Sequence, residues 1–281
     1  MKLSTLLATA VVALSAVLGG AAQAKEWKKV VIATEGAYPP YNLTQANGKL
    51  AGFEIDLAAN ICPRVHLECT FIATDWNGVI PGLLAGKYDA IMDGMSITPK
   101  RLKVIAFSTP YTQSPSTFAV MKKGPLANMP DTGKRVSLDN PAQMDAAIKA
   151  LTPVLKGRTV GVQVSTIQAD LLNKYFKDIM TIRTYGKTEE HDLDLYAGRV
   201  DLVMASSTYF VASLNTPQGK QAEESGPLFV GGLLGQGAGV GLRKTDPELK
   251  ALFDKGLAEA KADGTLKKLS LKWFKTDVVP Q

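Results

Sequence analysis

The sequence predicts an α/β protein of two similar lobes, each with a mostly parallel β-sheet flanked by helices. The prediction comes from two segments that recur in the same order. KKVVIATEG (28–36) is matched by GRTVGVQVS (157–165), and AGKYDAIMDG (85–94) is matched by AGRVDLVMAS (197–206). A strand–loop–helix pattern that occurs twice is typical of two α/β units.

Two crossings of the chain between the lobes are expected, and they would form a hinge. Turn-forming residues in STPYTQSPST (108–117) indicate the first crossing, and the glycine-rich run PLFVGGLLGQGAGVGLRK (227–244) indicates the second. We therefore expect lobe 1 to comprise residues 25–113 and 235–281, and lobe 2 to comprise residues 114–234. A cleft must then lie between the lobes.

Helices are predicted from apolar periodicity and from capping residues. FEIDLAANI (53–61) and TIQADLLNKYF (166–176) each follow a strand. DPELKALFDKGLAEAKADG is expected to form a helix with Asp246 as N-cap, Pro247 at the first helical position and Gly264 as C-cap.

The first 24 residues have the pattern of a secretory signal peptide. Lys2 precedes an uncharged apolar run that ends in Ala22-Gln23-Ala24, a small-residue cleavage site. A membrane anchor is the alternative, but the apolar run is short and rich in small residues. We expect residues 1–24 to be removed on export, so that the mature chain begins near Lys25.

The charge and the cysteines narrow the class of protein. A formal net charge of +6 without a basic run does not favour nucleic acid as a partner. The two cysteines, Cys62 and Cys69, are expected to form a disulfide in an exported protein. A zinc site would need further ligands, and the two histidines are His66 and His191.

Ligands of open parallel sheets bind beyond the carboxyl ends of the strands. In this sequence those ends are Glu35, Asp93-Gly94, the segment Gln163 to Thr166, and Ser206. Arg101 follows eight residues after Asp93, where its guanidinium could bind a carboxylate through two hydrogen bonds.

Each candidate also has an ordinary structural interpretation. Arg101 could lie on a solvated helix face, and Asp93 could cap the next helix. Tyr38 and Tyr41 could pack within their loop, and Trp76 could belong to the core. Together, however, acids, aromatic rings and one arginine at a cleft favour a site for a zwitterionic ligand with a cationic tail.

Enzyme motifs are not supported by their context. GQGAGVG (235–241) resembles a dinucleotide loop, but the required helix does not follow at once. GMSIT (94–98) is one residue short of a nucleophile elbow, and no histidine is placed to serve it. We therefore expect a binding protein without catalytic residues, cofactor or metal.

The mature chain resembles the periplasmic solute-binding proteins for polar amino acids and opines that serve ABC importers. The resemblance lies in ATEGAYPPYN, GFEIDLA, the Cys62–Cys69 loop, GVIPGLLAGKYDAIM, SITPKR, AGRVD, GVGLRK and DGTLKKLSLKWF. The segment SLDNPAQMDAAIKALT (137–152), EEHDLDL and SLKWFK are similar to the opine branch, which binds octopine and nopaline. The resemblance implies a monomer whose lobes close over a ligand and then dock on an inner-membrane permease.

The resemblance also implies roles for residues of lobe 1. Arg101 corresponds to the clamp for the ligand's α-carboxylate, assisted by Ser96 and by nearby backbone amides, which places Gly94 and Met95 in the site. Tyr38 and Trp76 correspond to the aromatic pair that holds the ligand's aliphatic chain.

Glu35 corresponds to the acid that binds the ligand's cationic side chain, which in an arginine-derived ligand is a guanidinium. In lobe 2, Gln163, Thr166 and Ile167 fall on the binding loop.

Two positions depart from the family pattern. Ser206 stands where amino-acid binders carry an aspartate for the α-ammonium, and Asp93 replaces a small residue. The first departure favours opines, whereas the second favours arginine. We expect an opine of the octopine or nopaline type, with a basic amino acid (arginine, lysine, ornithine or histidine) as the alternative. An enzyme on the same fold and a protein that feeds a sensor or chemoreceptor are more distant alternatives.

Overall fold

The computed structural model describes residues 26–280, so the predicted signal peptide (1–24) lies outside the described residues. Within 26–280, none of the helices combines the length and the apolar character that a membrane crossing requires. The described chain forms two lobes, each with its own β-sheet, as predicted.

Lobe 1 is formed by elements at the two ends of the chain. Its first ten elements are β1 (Lys29–Thr34), β2 (Ala37–Tyr38), β3 (Asn42–Thr44), β4 (Leu50–Ala51), α1 (Phe53–Arg64), β5 (Glu68–Ala73), α2 (Val79–Leu84), β6 (Ala90–Ile91), α3 (Pro99–Leu102) and β7 (Ala106–Phe107).

Lobe 2 follows, and the chain then returns to lobe 1. The elements of lobe 2 are β8 (Ser116–Met121), β9 (Arg135–Ser137), α4 (Pro141–Leu155), β10 (Thr159–Gln163), α5 (Ile167–Tyr175), β11 (Thr181–Tyr185), α6 (Thr188–Tyr196), β12 (Leu202–Ser206), α7 (Ser207–Ser213) and β13 (Ala222–Val230). The returning elements are β14 (Gly241–Leu242), α8 (Pro247–Ala262) and α9 (Thr265–Phe274).

The two sheets share a plan that follows from the repeated segments. In lobe 1 the strand order is β5-β1-β6-β14-β7, with β1 parallel to β5 and β6. In lobe 2 the order is β11-β10-β12-β8-β13-β9, with β10 parallel to β11 and β12. Each parallel group is extended by a strand that is antiparallel to it, β14 in lobe 1 and β8 in lobe 2. The chain therefore crosses between the sheets twice, and the predicted lobe boundaries, which fall in these crossings, stay a prediction.

Helices α1 and α8 show how the apolar pattern builds the core of lobe 1. Phe53, Leu57 and Ile61 repeat with helical spacing and are fully buried. A glycine in α8, Gly256, lets the two helices approach, since a Cβ there would lie 3.1 Å from the Cβ of Ile61. Burial of such side chains stabilises a domain by about 25 cal/mol per Å² of apolar surface.

The ends of α8 differ in detail from the prediction. Asp246 is the N-cap, but its carboxylate makes no capping bond and instead accepts a hydrogen bond from Arg243 Nε at 2.6 Å. The C-cap is Asp263, and Gly264 follows it with φ +78. The C-cap is thus one residue earlier than predicted, and Gly264 supplies the left-handed turn at the position after it. The small sheet β2-β3-β4 was not predicted at all.

The predicted disulfide is confirmed: Cys62 near the end of α1 is bonded to Cys69 in β5. Replacing both cysteines by alanine should lower the free energy of unfolding by about 2 kcal/mol, because a closed loop this short restricts the unfolded chain only modestly. Urea unfolding of the oxidised protein and of the double variant measures the difference. The reduced wild type should match the variant, and a variant as stable as the oxidised protein would contradict the assignment of a structural role.

Candidate ligand-binding cleft

A cavity lies between the lobes, at the carboxyl ends of β1, β6, β10 and β12. It encloses about 850 Å³, counting its mouth to solvent. Eleven of the twelve predicted residues line it: Glu35, Tyr38, Trp76, Asp93, Gly94, Ser96, Arg101, Gln163, Thr166, Ile167 and Ser206. The structure therefore brings together residues that the sequence places up to 171 positions apart.

Arg101 lies inside the cleft and not on a solvated helix face. Thr98 caps the short helix α3 by accepting a hydrogen bond from the Arg101 backbone N–H. The Arg101 guanidinium donates to the carbonyl of Ser96 at 2.9 Å and, across the cleft, to the carbonyl of Ser165 at 3.3 Å. Burial lowers the pKa of Arg101 to about 10, which still leaves it charged at neutral pH.

The charge of Arg101 is not neutralised by a paired acid. Among residues 26–280, no carboxylate lies within ion-pair distance of the guanidinium, and the nearby Asp170 pairs with Lys100 instead. Its hydrogen bonds go to neutral carbonyls, and its Cζ lies 5.3 Å from the centroid of the Trp76 ring. A half-buried cation with neutral partners and an adjoining cavity has the chemistry to receive an anionic group.

Asp93 follows β6 and is buried against the ends of neighbouring strands. One carboxylate oxygen, Oδ1, accepts hydrogen bonds from Glu35 N at 2.9 Å, Asn42 Nδ2 at 3.1 Å and Thr34 Oγ1 at 3.3 Å. The other oxygen, Oδ2, is buried and has no hydrogen-bond partner within residues 26–280. Asp93 therefore does not cap α3, which Thr98 does, and one of its two carboxylate oxygens is left without a partner.

Two further carboxyl groups lie beside Asp93. Glu54, in the first turn of α1, is fully buried and accepts hydrogen bonds from Asn42 Nδ2, from Gly94 N and from the Tyr111 hydroxyl. Glu35 accepts a hydrogen bond from Gln163 Nε2 of lobe 2 at 2.9 Å. The three acids thus lie together in lobe 1, near the ends of β1 and β6 and in the first turn of α1.

Burial raises the pKa of each acid in this cluster. Desolvation brings the pKa of Glu35 to about 7, helped by Glu54 and Asp75 and opposed by the Gln163 hydrogen bond. Burial, followed by the charges of Glu35 and Glu54, raises the pKa of Asp93 well above its ordinary value. Burial also raises the pKa of Glu54. A cation entering the cavity would favour the ionised forms and release protons.

The aromatic residues link the two lobes. Trp76 donates from Nε1 to the carbonyl of Val164 in lobe 2 at 3.0 Å. Tyr38 stacks on Tyr41 with ring centroids 5.5 Å apart and on Tyr209 of lobe 2 with centroids 5.1 Å apart. In this structure Tyr38 and Trp76 both line the cavity, but each ring already has other partners, so the aromatic pair around a ligand stays a proposal.

The lobe 2 residues of the site are held by helix caps. Thr166 caps α5 by accepting from Ala169 N at 3.1 Å, which places Ile167 in the first turn. Ser206 caps α7 by accepting from Tyr209 N at 3.3 Å. The Ser206 hydroxyl is also hydrogen-bonded to the Tyr38 hydroxyl at 2.6 Å, so Ser206 both caps a helix and contacts lobe 1.

One predicted residue lies behind the site. The Met95 side chain is buried in an apolar cluster of lobe 1 with Ile91 and Phe107, and it is not part of the cavity wall. Its backbone carbonyl accepts a hydrogen bond from Gly239 N at 3.2 Å. The alternation of inward and outward residues in MSI explains this, since Ser96 faces the cavity.

The two crossings also contribute to the cavity wall, which the sequence motifs did not predict. Residues 112–114 of the first crossing and several residues of the second line the cavity. Their signal was available in the turn-forming run at 108–117 and in the glycines of 227–244, because a hinge must border the cleft that it closes. Thr188, Met204 and Ala205 carried no comparable signal.

Two lobes, two crossings and a polar cleft lined by an arginine and two acids define a protein that binds a small solute between its lobes. The family model for bacterial extracellular solute-binding proteins, family 3, matches residues 30–276, and the chain belongs to this family. The resemblance described from the sequence motifs is thereby confirmed.

Similar proteins show what this family binds. The chain is 47% identical over 285 residues to an octopine-binding periplasmic protein of Rhizobium meliloti, covering 94% of this chain and 96% of the relative. It is 35% identical over 258 residues to a histidine-binding periplasmic protein of Salmonella typhimurium, covering 89% of each. An ancestral arginine-binding protein, solved bound to arginine, has a TM-score of 0.74 and 29% identity, covering 88% of this chain and 98% of that one.

The acid cluster should make folding depend on pH. Because the folded-state pKa of Asp93 is raised, its contribution is fully present below pH 4 and is lost as pH rises through the folded value. For each proton that the folded protein holds and the unfolded chain has lost, the free energy of unfolding should fall by about 1.4 kcal/mol per pH unit. Urea unfolding of the ligand-free protein between pH 5 and 8 measures this slope.

Asp93→Asn should reduce that slope, because an amide keeps an oxygen for the three donors and cannot ionise. Asp170→Asn is the matched control, since Asp170 lies on the outside of the cleft and pairs with Lys100. A slope that is the same in the wild type and in Asp93→Asn would contradict the assignment of a buried, partly protonated acid.

Proposed function

We propose that this protein is the periplasmic solute-binding component of an ABC importer and that it captures opines of the octopine and nopaline type by closing its lobes. The export pattern in residues 1–24 and the periplasmic location of the named relatives support the compartment. The inner-membrane permease is the expected partner, and the binding protein acts as a monomer.

The observation that carries the proposal is that one cavity holds ionisable groups of both signs. Arg101 has no paired acid among residues 26–280, and the acids Glu35 and Asp93 line the same cavity. A ligand with a carboxylate at one end and a guanidinium at the other compensates both. Charge-assisted hydrogen bonds of this kind are about twice as strong as neutral ones.

Ser206 favours opines over free amino acids. A free amino acid presents an α-ammonium beside its carboxylate, which a carboxylate on the protein would satisfy. An opine has a substituted amine that bears a second carboxylate, so a neutral hydroxyl at this position avoids like charge and leaves room. The 47% identity to an octopine-binding protein supports the same choice.

Binding of a basic amino acid is the second candidate, and the unpaired Oδ2 of Asp93 favours it. Asp93 lines the cavity and its Oδ2 has no hydrogen-bond partner within residues 26–280, so the carboxylate has capacity to accept from an ammonium or a guanidinium. The similarity to a histidine-binding protein and to a structure of an arginine-binding protein bound to arginine supports this alternative.

One calorimetric panel distinguishes the candidates. Octopine, nopaline, arginine, lysine, ornithine, histidine and glutamine would be titrated into the mature protein, and small-angle scattering would follow closure. Tighter binding of an opine than of arginine supports the proposal, and the reverse order supports the second candidate. Mass spectrometry of the ligand recovered from the protein tests for catalysis, since a binding protein returns its ligand unchanged.

Arg101→Ala should weaken every ligand in the panel by roughly 2–5 kcal/mol, because a carboxylate that binds a desolvated cation loses its partner. Lys100→Ala is the matched control, since the Lys100 side chain is 80% exposed and pairs with Asp170 on the outside of the cleft. Calorimetry should show a large loss for the first variant and almost none for the second. Equal, small effects would place the ligand carboxylate elsewhere.

Ser206→Asp should weaken opines by about tenfold or more and leave arginine equal or tighter, because like charges in a desolvated site cost several kcal/mol. Aspartate caps helices as well as serine does, so α7 should be retained. Ser206→Asn is the control, since it also caps and adds no charge. If wild type already prefers arginine, and Ser206→Asp leaves that preference unchanged, opine binding is contradicted.

A further inference from the structure

Tyr209 of lobe 2 makes a contact with lobe 1 that involves no ligand. Its ring is stacked against Tyr38 with centroids 5.1 Å apart and an interplanar angle of 8°. Tyr38 is in turn stacked on Tyr41 of its own lobe, with centroids 5.5 Å apart and an angle of 17°. Three parallel rings thus run from lobe 1 into lobe 2.

The Tyr209 ring is fixed before lobe 1 reaches it. Its hydroxyl donates to Asp192 Oδ2 at 2.7 Å, and Ser213 donates to the same oxygen at 2.6 Å. Asp192 and Ser213 are both buried in lobe 2, on α6 and α7. A ring held at its hydroxyl within one lobe presents its face without further loss of side-chain entropy when the lobes meet.

Tyr38 is the matching element of lobe 1. It packs against the apolar cluster of lobe 1 and also against the cluster of lobe 2 that contains Tyr209 and Phe210. Its hydroxyl is hydrogen-bonded to Ser206, which caps the helix that carries Tyr209. One lobe 1 side chain therefore meets both a stacked ring and a hydroxyl on the same helix of lobe 2.

We propose that Tyr209, held by Asp192 and Ser213, is a positioning residue that receives Tyr38 and stabilises the closed arrangement of the lobes in the absence of ligand. This inference rests on the lobe closure of the proposed function, but it does not depend on which ligand binds. Tyr209 does not line the cavity, so it acts on affinity through the population of the closed form.

The proposal predicts the same fold-loss of affinity for every ligand. A ligand that binds only the closed form has an apparent affinity set by the fraction of protein in that form. Loss of a stacked aromatic pair should reduce the closed fraction roughly threefold to tenfold. Tyr209→Ala should therefore weaken an opine and a basic amino acid by the same factor, whereas a residue that contacts ligand would alter the preference between them.

The test measures closure without ligand. Dyes on cysteines introduced by Lys87→Cys in lobe 1 and Lys177→Cys in lobe 2, both exposed positions, report the distance between the lobes by single-molecule energy transfer. Tyr209→Ala should lower the closed fraction of the ligand-free protein roughly threefold to tenfold. Tyr209→Phe, which keeps the ring and loses the bond to Asp192, should lie between the wild type and the alanine variant.

Phe210→Leu is the matched control for loss of packing. Phe210 is the next residue of α7 and is buried in the same cluster, but its ring packs against Tyr209 and not against Tyr38. It should lower the melting temperature without changing the closed fraction. Thermal unfolding of all variants shows that each one is folded.

Two results would overturn the proposal: a ligand-free wild type without a measurable closed population, or a Tyr209→Ala variant with the closed fraction of the wild type. Failure of the proposed function has a different signature, namely that none of the opines or basic amino acids in the panel shifts the wild-type distances. In that case the closed fractions of ligand-free wild type and Tyr209→Ala still test the role of Tyr209.

Discussion

The buried carboxyl group of Glu54 holds together the parts of lobe 1 that form the cleft. Its oxygens accept hydrogen bonds from Asn42 in β3, from the backbone of Gly94 after β6, and from Tyr111 in the first crossing. These donors are far apart in sequence, and the segments that carry them are brought together by one carboxyl group. Because a buried acid without donors is costly, the three segments must adopt positions that satisfy it.

The site inherits its geometry from this arrangement. Gly94 begins the loop that runs through Ser96 to Arg101, so fixing its N–H sets where the guanidinium emerges. Asn42 shares its amide between Glu54 and Asp93, which places the second acid beside the first. The same buried polar network therefore positions the cation and the acids, and the field in the cavity follows from how lobe 1 folds.

The contact between the lobes combines hydrogen bonds with an exposed ion pair between Lys100 of lobe 1 and Asp170 of lobe 2. Lobe 1 brings donors such as Trp76 and Arg101, and lobe 2 presents the carbonyls of Val164 and Ser165 at the end of β10. Ser165 has φ +60, a left-handed conformation that turns the chain from strand to helix. Closure thus satisfies donors of one lobe with acceptors of the other and leaves the ligand to compensate the charges.

The sequence was sufficient wherever a local pattern determines the structure. Repeated strand–helix units located the strand ends, and therefore Glu35, Asp93, Gln163 and Ser206. It was insufficient where residues distant in sequence meet. Glu54 looks like an ordinary acid in the first turn of a helix, where acids are common, and its role depends on partners up to 57 positions away.

Helix capping limits how position 206 can vary, and this limit has a functional consequence. The residue must accept a hydrogen bond from Tyr209 N to begin α7, and serine, threonine, asparagine and aspartate do this well. These residues differ in charge and size, but each can cap a helix. The cap of α7 can therefore be kept while the charge at this position of the cavity wall changes.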